Sequence, residues 1–174
     1  MSNLIYSDWY VINTLSGKEE SIKYKLIENE IIPPTNLLLP KRKLLIRKQR
    51  QYFDTEKVLF PGYLFYKGDY FVKIYQNKKN LKGFIKVINN DLKPLPLYQF
   101  EIDKILNMVN EDELIDYSKM IMEGDLIKVI SGPLVNMEGI IKKIDKRKER
   151  VWVEFSLFGR VQLIQLTSKI IEKI

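Results

Sequence analysis

The spacing of apolar and polar positions opens with a β-branched run, Asp8 to Leu15 (DWYVINTL), which predicts a strand. Ser16-Gly17-Lys18-Glu19 then fits the S-x-x-E capping box, so a helix is expected to start there. Ile22, Leu26 and Ile27 give that helix one buried stripe, with Lys23 and Glu30 elsewhere on the wheel, until Pro33-Pro34 stops it. Leu37 to Ile46 and Val58 to Tyr66 both read as strands, and the polar Arg47 to Lys57 between them predicts a long hairpin with a basic tip. Asp69 is placed to cap a second helix carrying Phe71, Val72 and Tyr75. Phe84 to Ile88 is a short strand after Gly83. Beyond the turn at Pro94-Leu95-Pro96, Phe100, Ile105, Leu106 and Val109 recur at helical spacing and predict a third helix closing a first unit.

The pattern then changes. Between Asn110 and Glu123 five acids (Glu111, Asp112, Glu113, Asp116, Glu123) face one Lys119, which reads as a linker. Beyond it come short strands at Leu126 to Ile130, Ile140 to Ile144, Val151 to Phe155 and Val161 to Leu166, with Ile170 to Ile174 as a fifth. Turns fall at Gly132-Pro133, Asp145 to Glu149 and Gly159. Such a run describes a small antiparallel barrel. The expected fold is α+β: a first domain at 1–109 with an antiparallel sheet flanked by helices, a linker at 110–123 and an all-β barrel at 124–174.

Composition narrows the chemistry. Among 174 residues there is neither His nor Cys, so the chain cannot supply a zinc site, a Ser-His or Cys-His pair, or an imidazole titrating near neutral pH. Its glycines never fall into GxGxxG or GxxxxGK[ST], so no phosphate-cradling loop is present. The carboxylates sit in charge-mixed contexts such as Glu111, Asp112 and Glu113, the pattern of a solvated face rather than an acid/base pair. No enzyme and no cofactor are expected. The longest uncharged stretch, Ile31 to Pro40, carries three prolines and is far short of a membrane span. Met1 to Leu4 has neither the basic nor the apolar region of a secretory signal, so a cytoplasmic monomer is expected.

Charge points to a partner. With 29 Lys and Arg against 22 Asp and Glu the net charge is +7, which suits polyanions. Residues 41–50 (KRKLLIRKQR) hold six basic and no acidic side chains, and 142–150 (KKIDKRKER) six basic and two acidic. Read along the chain they are two separate patches. Each fits either a phosphate-binding surface, with counterion release on binding, or a solvated hairpin tip.

These residues also carry a resemblance. Trp9-Tyr10-Val11, Ser16-Gly17-Lys18-Glu19-Glu20, Phe60-Pro61-Gly62-Tyr63 and Gly83-Phe84 resemble the N-terminal (NGN) domain of NusG transcription factors. Gly124-Asp125, Val129, Gly132-Pro133, Glu138-Gly139 and Phe158-Gly159-Arg160 leading into Val161 to Leu166 resemble the SH3-like KOW domain of the same family, in the family's order. The resemblance implies a transcription elongation factor with no covalent chemistry of its own. Its first domain would dock an aromatic pocket on the clamp helices of RNA polymerase, which falls here on Phe60, Pro61, Gly62 and Tyr63 with Trp9 and Tyr10 nearby. Aromatic side chains suit interface anchors, and they equally suit a sheet core. The KOW turn, Phe158, Gly159 and Arg160, would recruit Rho or a small-subunit ribosomal protein, as in housekeeping members; Phe158 reads as an exposed anchor or as a barrel core residue.

One departure from the family pattern shifts the expected function. Lys142, Lys143, Lys146, Arg147, Lys148 and Arg150 dominate a hairpin that is acidic or mixed in housekeeping members, and Trp152 is close in sequence. Cations for phosphates beside rings for bases are the composition of an RNA-contacting surface. Residues 124–174 carry ten basic and six acidic side chains, net +4, against 19 and 16, net +3, for residues 1–123. The reading is a specialised paralog of LoaP type, a processive antiterminator whose KOW domain grips a hairpin in the nascent RNA. Lys41 to Arg50 could serve a DNA or RNA strand without sequence preference. A KOW domain refolding into helices is disfavoured by the β-branched Val129, Val151, Val153 and Val161 and by Gly132-Pro133. Two alternatives stay open: the housekeeping factor that couples polymerase to Rho or the ribosome, and a ribosomal or RNA-chaperone KOW protein that never meets polymerase.

Overall fold

A computed structural model describes residues 4–172. In chain order its elements are β1 (Trp9–Thr14), α1 (Glu19–Glu28), β2 (Leu37–Leu38), β3 (Lys41–Lys48), β4 (Gln51–Val58), β5 (Tyr63–Lys67), α2 (Phe71–Asn77) and β6 (Phe84–Val87). The short β7 (Asn89–Asn90) and β8 (Lys93–Pro94) lead to α3 (Gln99–Met108). Then come β9 (Leu114–Ile115), β10 (Ser118–Glu123), β11 (Leu126–Ser131), β12 (Ile141–Asp145), β13 (Arg150–Leu157) and β14 (Arg160–Glu172). The fold is mixed α+β. It divides into two compact units: the chain up to Leu39 with Phe60–Ile102, and Pro40–Leu59 with the chain from Asp103 onward.

The first unit is built on an antiparallel sheet of order β2-β5-β1-β6. Both faces of β1 and β5 are covered, since Val11, Ile12, Leu64, Phe65 and Tyr66 are all fully buried, and this explains why the run reads as continuously apolar rather than alternating. Helix α1 buries Ile22 and Leu26 and keeps Lys25 and Glu28 outside, paired at 2.6 Å. The expected capping box does not form. Lys18 occupies the N-cap with no side-chain bond, because the Glu19 carboxylate is buried and accepts the backbone N–H of Gly62 at 2.6 Å. A long-range partner has won over the local one. Helix α2 starts after Tyr70 rather than on an Asp69 cap, and its inward residue is Ile74. In α3 the buried stripe is Ile102, Ile105 and Met108, whereas Phe100 and Leu106, expected in it, are exposed. Phe100 instead stacks on Tyr98, 5.8 Å between centroids, and Tyr98 on Tyr6 at 4.9 Å.

The second unit holds a five-stranded sheet of order β11-β10-β14-β13-β12 and a three-stranded sheet of order β4-β3-β9. β13 alternates strictly, Val151, Val153, Phe155 and Leu157 inward, and with Met120, Val129, Leu134, Ile164 and Leu166 they make the core. The long β14 changes partner midway: Arg160–Thr167 lie antiparallel to β13, and Ser168–Glu172 run parallel to β10. One strand serving both halves lets a small sheet curl on itself. The barrel strands therefore differ from those expected. Val161 to Leu166 and Ile170 onward are one strand, with Lys173 and Ile174 outside the described residues, as Met1 to Asn3 are. The missing fifth strand is β10, in the stretch 110–123 expected as a linker: Lys119 and Glu123 face outward while Ser118, Met120 and Met122 alternate inward.

The hairpin also differs. β5, expected as its return arm, pairs with β1 and β2, and the hairpin is β3–β4 with full register from Lys41↔Val58 to Lys48↔Gln51. The polar Arg47 to Lys57 is thus mostly strand, turning at Gln49 (φ 50°) and Arg50 (φ 65°). Two left-handed residues make the two-residue turn that hairpins favour, built here without the glycine or asparagine that would announce it.

Candidate functional site

In the first unit the structure separates the aromatic set expected to dock polymerase. Trp9 and Phe60 are buried; Phe60 packs 5.7 Å from Phe65. Tyr10 and Tyr63 are half-buried, and Pro61 is exposed. Pairing of β1 with β5 aligns Trp9, Val11 and Asn13 with Lys67, Phe65 and Tyr63, so Trp9 and Tyr63 share one face of the sheet and Tyr10 lies on the other. They do not form one pocket. The loop between them is held from inside: Gly62 donates to Glu19, its carbonyl accepts from Thr14 N–H at 2.8 Å, and Tyr63 N–H closes onto Phe60 O at 3.0 Å. Gly62 sits at φ +85°, where an added Cβ would stand 3.1 Å from the Thr14 carbonyl.

On its own face Tyr10 stacks with Tyr66, 5.4 Å between centroids. The Tyr66 hydroxyl is buried and makes no hydrogen bond, and burial pushes its pKa far up, with Tyr10, Asp69 and Tyr75 adding to the effect. Tyr75 in turn lies 4.7 Å from Phe71 and 5.5 Å, edge-on, from Phe84. This aromatic cluster was only partly legible; Phe71 and Tyr75 show the i, i+4 spacing of a packed pair, but nothing in the sequence joins them to Tyr10.

In the second unit the two basic segments, separate in the sequence, come together. Leu45, Arg47 and Tyr52 of the β3–β4 hairpin and Lys146, Arg147, Lys148, Glu149 and Arg150 of the β12–β13 connection line one open groove of about 590 Å³. Five cationic side chains face one carboxylate there. Arg47 lies 5.8 Å from the Tyr52 ring centre, and Tyr52 itself is 63% exposed. The hairpin is fixed to the barrel by several bonds. Arg42 Nη1 donates to the Gln165 carbonyl, and Leu45 N–H to Thr167 Oγ1 at 3.3 Å. Tyr117 donates its hydroxyl to Asp54 at 2.6 Å, and Lys43 sits 3.4 Å from Asp54, 3.5 Å from Asp116 and 5.0 Å from the Tyr117 ring centre. The Tyr117 bond, with Lys43, holds the Asp54 carboxyl below its usual range; burial first, then Asp54, pushes Tyr117 well above its own.

The remaining basic residues lie outside that groove. Lys142 Nζ is 3.8 Å from Glu154 and donates to the Gly139 carbonyl, while Lys143 stands 4.7 Å over the ring of half-buried Trp152, its cross-strand partner. A lysine already covers the ring that was expected to stack on a base. At the β13–β14 turn, Phe158 (φ 53°) is half-buried, and Gly159 and Arg160 are exposed. Among the described residues no group of Asp and Glu is arranged to hold a metal, and no helix is long and apolar enough to cross a membrane.

Comparison with known proteins follows the same two-part plan. The family described as "Transcription termination factor nusG" matches residues 7–106, and "KOW motif" matches residues 123–154. The transcription termination/antitermination protein NusG of Helicobacter pylori is 30% identical over 96% of this chain and 98% of its own. Its counterpart in Rickettsia typhi is 28% identical over 95% of this chain and 89% of its own. A solved structure described as "Domain interaction in Thermotoga maritima NusG" is 25% identical over 92% of this chain and 93% of that one, with a TM-score of 0.52. The chain belongs to the NusG family. It is a transcription termination/antitermination factor of that kind, and such factors are not enzymes.

Proposed function

We propose that this protein is a specialised elongation factor of the family, LoaP-like in its action, which attaches to RNA polymerase and carries it through terminators while its KOW domain holds the nascent RNA. It works in the cytoplasm, as a monomer, with an NGN domain in the N-terminal part of the chain and a KOW domain in the C-terminal part, to which β10 belongs. The observation that carries the reading is the groove where Arg47, Lys146, Arg147, Lys148 and Arg150 converge. Cations so concentrated repel one another unless a polyanion or salt neutralises them, and a phosphodiester backbone does so with release of counterions. Attachment to the polymerase clamp helices falls to the side chains that reach the surface of the first unit, Tyr10, Pro61 and Tyr63, with Trp9, Phe60 and Gly62 shaping the loop from within. Holding the clamp closed biases a two-state element and so suppresses pausing.

Transcription in vitro through an intrinsic terminator, with and without a candidate leader RNA upstream, tests the reading. Read-through that rises only when the leader is present supports it; read-through indifferent to the leader, or none at all, overturns it. A second reading has its own observation. The exposed Gly159 and Arg160 beside half-buried Phe158 present a turn of the kind that would recruit Rho or a small-subunit ribosomal protein. Retention of either on the immobilised protein, lost on Phe158→Ala, favours that housekeeping role.

A further inference from the structure

Given an RNA-binding C-terminal unit, as proposed above, the geometry points to a narrower site: the groove between the β3–β4 hairpin and the β12–β13 connection takes an unpaired nucleic-acid strand, and both walls hold it. Arg47 and Tyr52 stand on one side and Lys146 to Arg150 on the other. The chemistry on the two walls is complementary. Arg47 and the Lys146–Arg150 cations meet phosphates, while Tyr52, 63% exposed, offers a ring face for a base. A base inside a duplex has both faces covered by its neighbours and cannot use that ring, which is why an unpaired strand fits and a hairpin stem does not. Glu149 is the one acidic group in the lining, and with Lys148 paired to Asp145 at 4.0 Å the arginines Arg47, Arg147 and Arg150 still outnumber it. Trp152, half-buried and outside the lining, is not the stacking residue.

The wall formed by the hairpin is also fixed in place, which an incidental approach of two loops would not require. Arg42 reaches the Gln165 carbonyl, Leu45 is bonded to Thr167, and Glu149, in the opposite wall, accepts from Ser168 N–H at 3.0 Å through its carbonyl. Both walls are therefore tied to consecutive positions of β14. A strand binding between them meets a preformed site and loses little to ordering.

Fluorescence anisotropy of the full-length protein decides the matter, using labelled oligo-U, oligo-dT and an RNA duplex, each of about 12 nucleotides or pairs, at several salt concentrations. Expected are tighter binding of the single strands than of the duplex and, for Arg47→Gln and Arg147→Gln alike, a fall of about 0.7 in the slope of log K against log salt. Tyr52→Ala weakens binding by about tenfold, and Lys93→Gln, an exposed lysine of the first unit, leaves it unchanged. If Arg147→Gln weakens binding but Arg47→Gln and Tyr52→Ala do not, the two-walled site is overturned while the RNA-binding unit stands. Equal affinity for duplex and single strand overturns the unpaired ligand. Preference for oligo-dT keeps the groove and overturns its assignment to RNA, and a wild type that binds none of the three overturns both.

Discussion

Gly132 and Glu19 each occupy a position that one residue type serves. Gly132 adopts φ +94°, and a Cβ there would stand 2.5 Å from the Tyr117 carbonyl and 2.6 Å from Ser118 Cα, both backbone. Neither can swing aside. The turn it allows brings Leu134 N–H to Ser118 Oγ at 3.1 Å and buries Leu134 in the barrel. Gly132→Ala is expected to destabilise the protein by about 2–3 kcal/mol, from left-handed strain together with the backbone clash, read as a lowered unfolding midpoint in urea. Glu19 acts on the first unit in a comparable way. Its buried carboxylate is the acceptor for Gly62, so Glu19→Ala leaves a buried N–H without a partner at a cost of about 1–3 kcal/mol. The same change frees the Phe60–Tyr63 loop. A thermal melt should show the loss, and capture of RNA polymerase on the immobilised variant should fall with it; unchanged capture would separate the loop from polymerase attachment.

At the scale of an element, the β3–β4 hairpin depends on polar contacts more than on a core. Leu44 is buried, but Tyr52, Phe53 and Ile46 remain exposed, so Lys43, Asp54, Asp116 and Tyr117 carry much of its attachment. Asp54 is held below its ordinary range, chiefly by the Tyr117 hydroxyl. A lowered carboxyl contributes stability that is present above its unfolded value, about 3.9, and is lost as pH falls through the folded value. Tyr117 is raised, by burial and then by Asp54, and Lys43 is raised, first by Asp116; both contributions are present below their unfolded values, about 10 and 10.4, and vanish as pH climbs through the folded ones. The attachment therefore holds across neutral pH. Melting temperature measured against pH for wild type and Asp54→Asn should show a wild-type advantage at pH 7 that shrinks as pH falls below the unfolded carboxyl value of about 3.9. A difference that stays constant as pH falls below that value would exclude Asp54 as the source.

For the whole molecule, the proposed function puts polymerase attachment and RNA contact on different units, so they should be separable. Reversing the sign of Lys142, Lys143, Arg147 and Lys148 is expected to abolish leader-dependent read-through while leaving capture of RNA polymerase intact. Within that set the groove assigns most of the loss to Arg147, since Lys142 pairs with Glu154, Lys143 lies over Trp152, and Lys148, though it lines the groove, pairs with Asp145 at 4.0 Å. Single reversals scored in the same transcription assay check this: an effect confined to Lys142 and Lys143 would move the RNA-binding surface to the outer face of β12 and β13. Weaker binding at higher salt should accompany either outcome.

How far the sequence reaches is plain from particular residues. The alternation of Val151, Val153 and Phe155 and the helical stripe of Ile22 and Leu26 determined the fold class and the two-part plan, and the absence of His and Cys removed zinc and imidazole chemistry, because local periodicity and side-chain chemistry are properties of the chain before it folds. The ordered set of motifs from Trp9-Tyr10-Val11 through Phe60-Pro61-Gly62-Tyr63 and Gly132-Pro133 to Phe158-Gly159-Arg160 was enough to recognise the family. Pairing was not legible. Glu19 turned from its own helix to Gly62, Ser118 to Glu123 left an apparent linker for the barrel, Tyr10 parted from Tyr63 by one step of the pleat, and the cations near Arg47 met those near Arg147 across a groove. Each of these depends on which distant segment lies alongside, and a contact between remote segments is chosen by the packing of the whole rather than by the residues next to it in the chain.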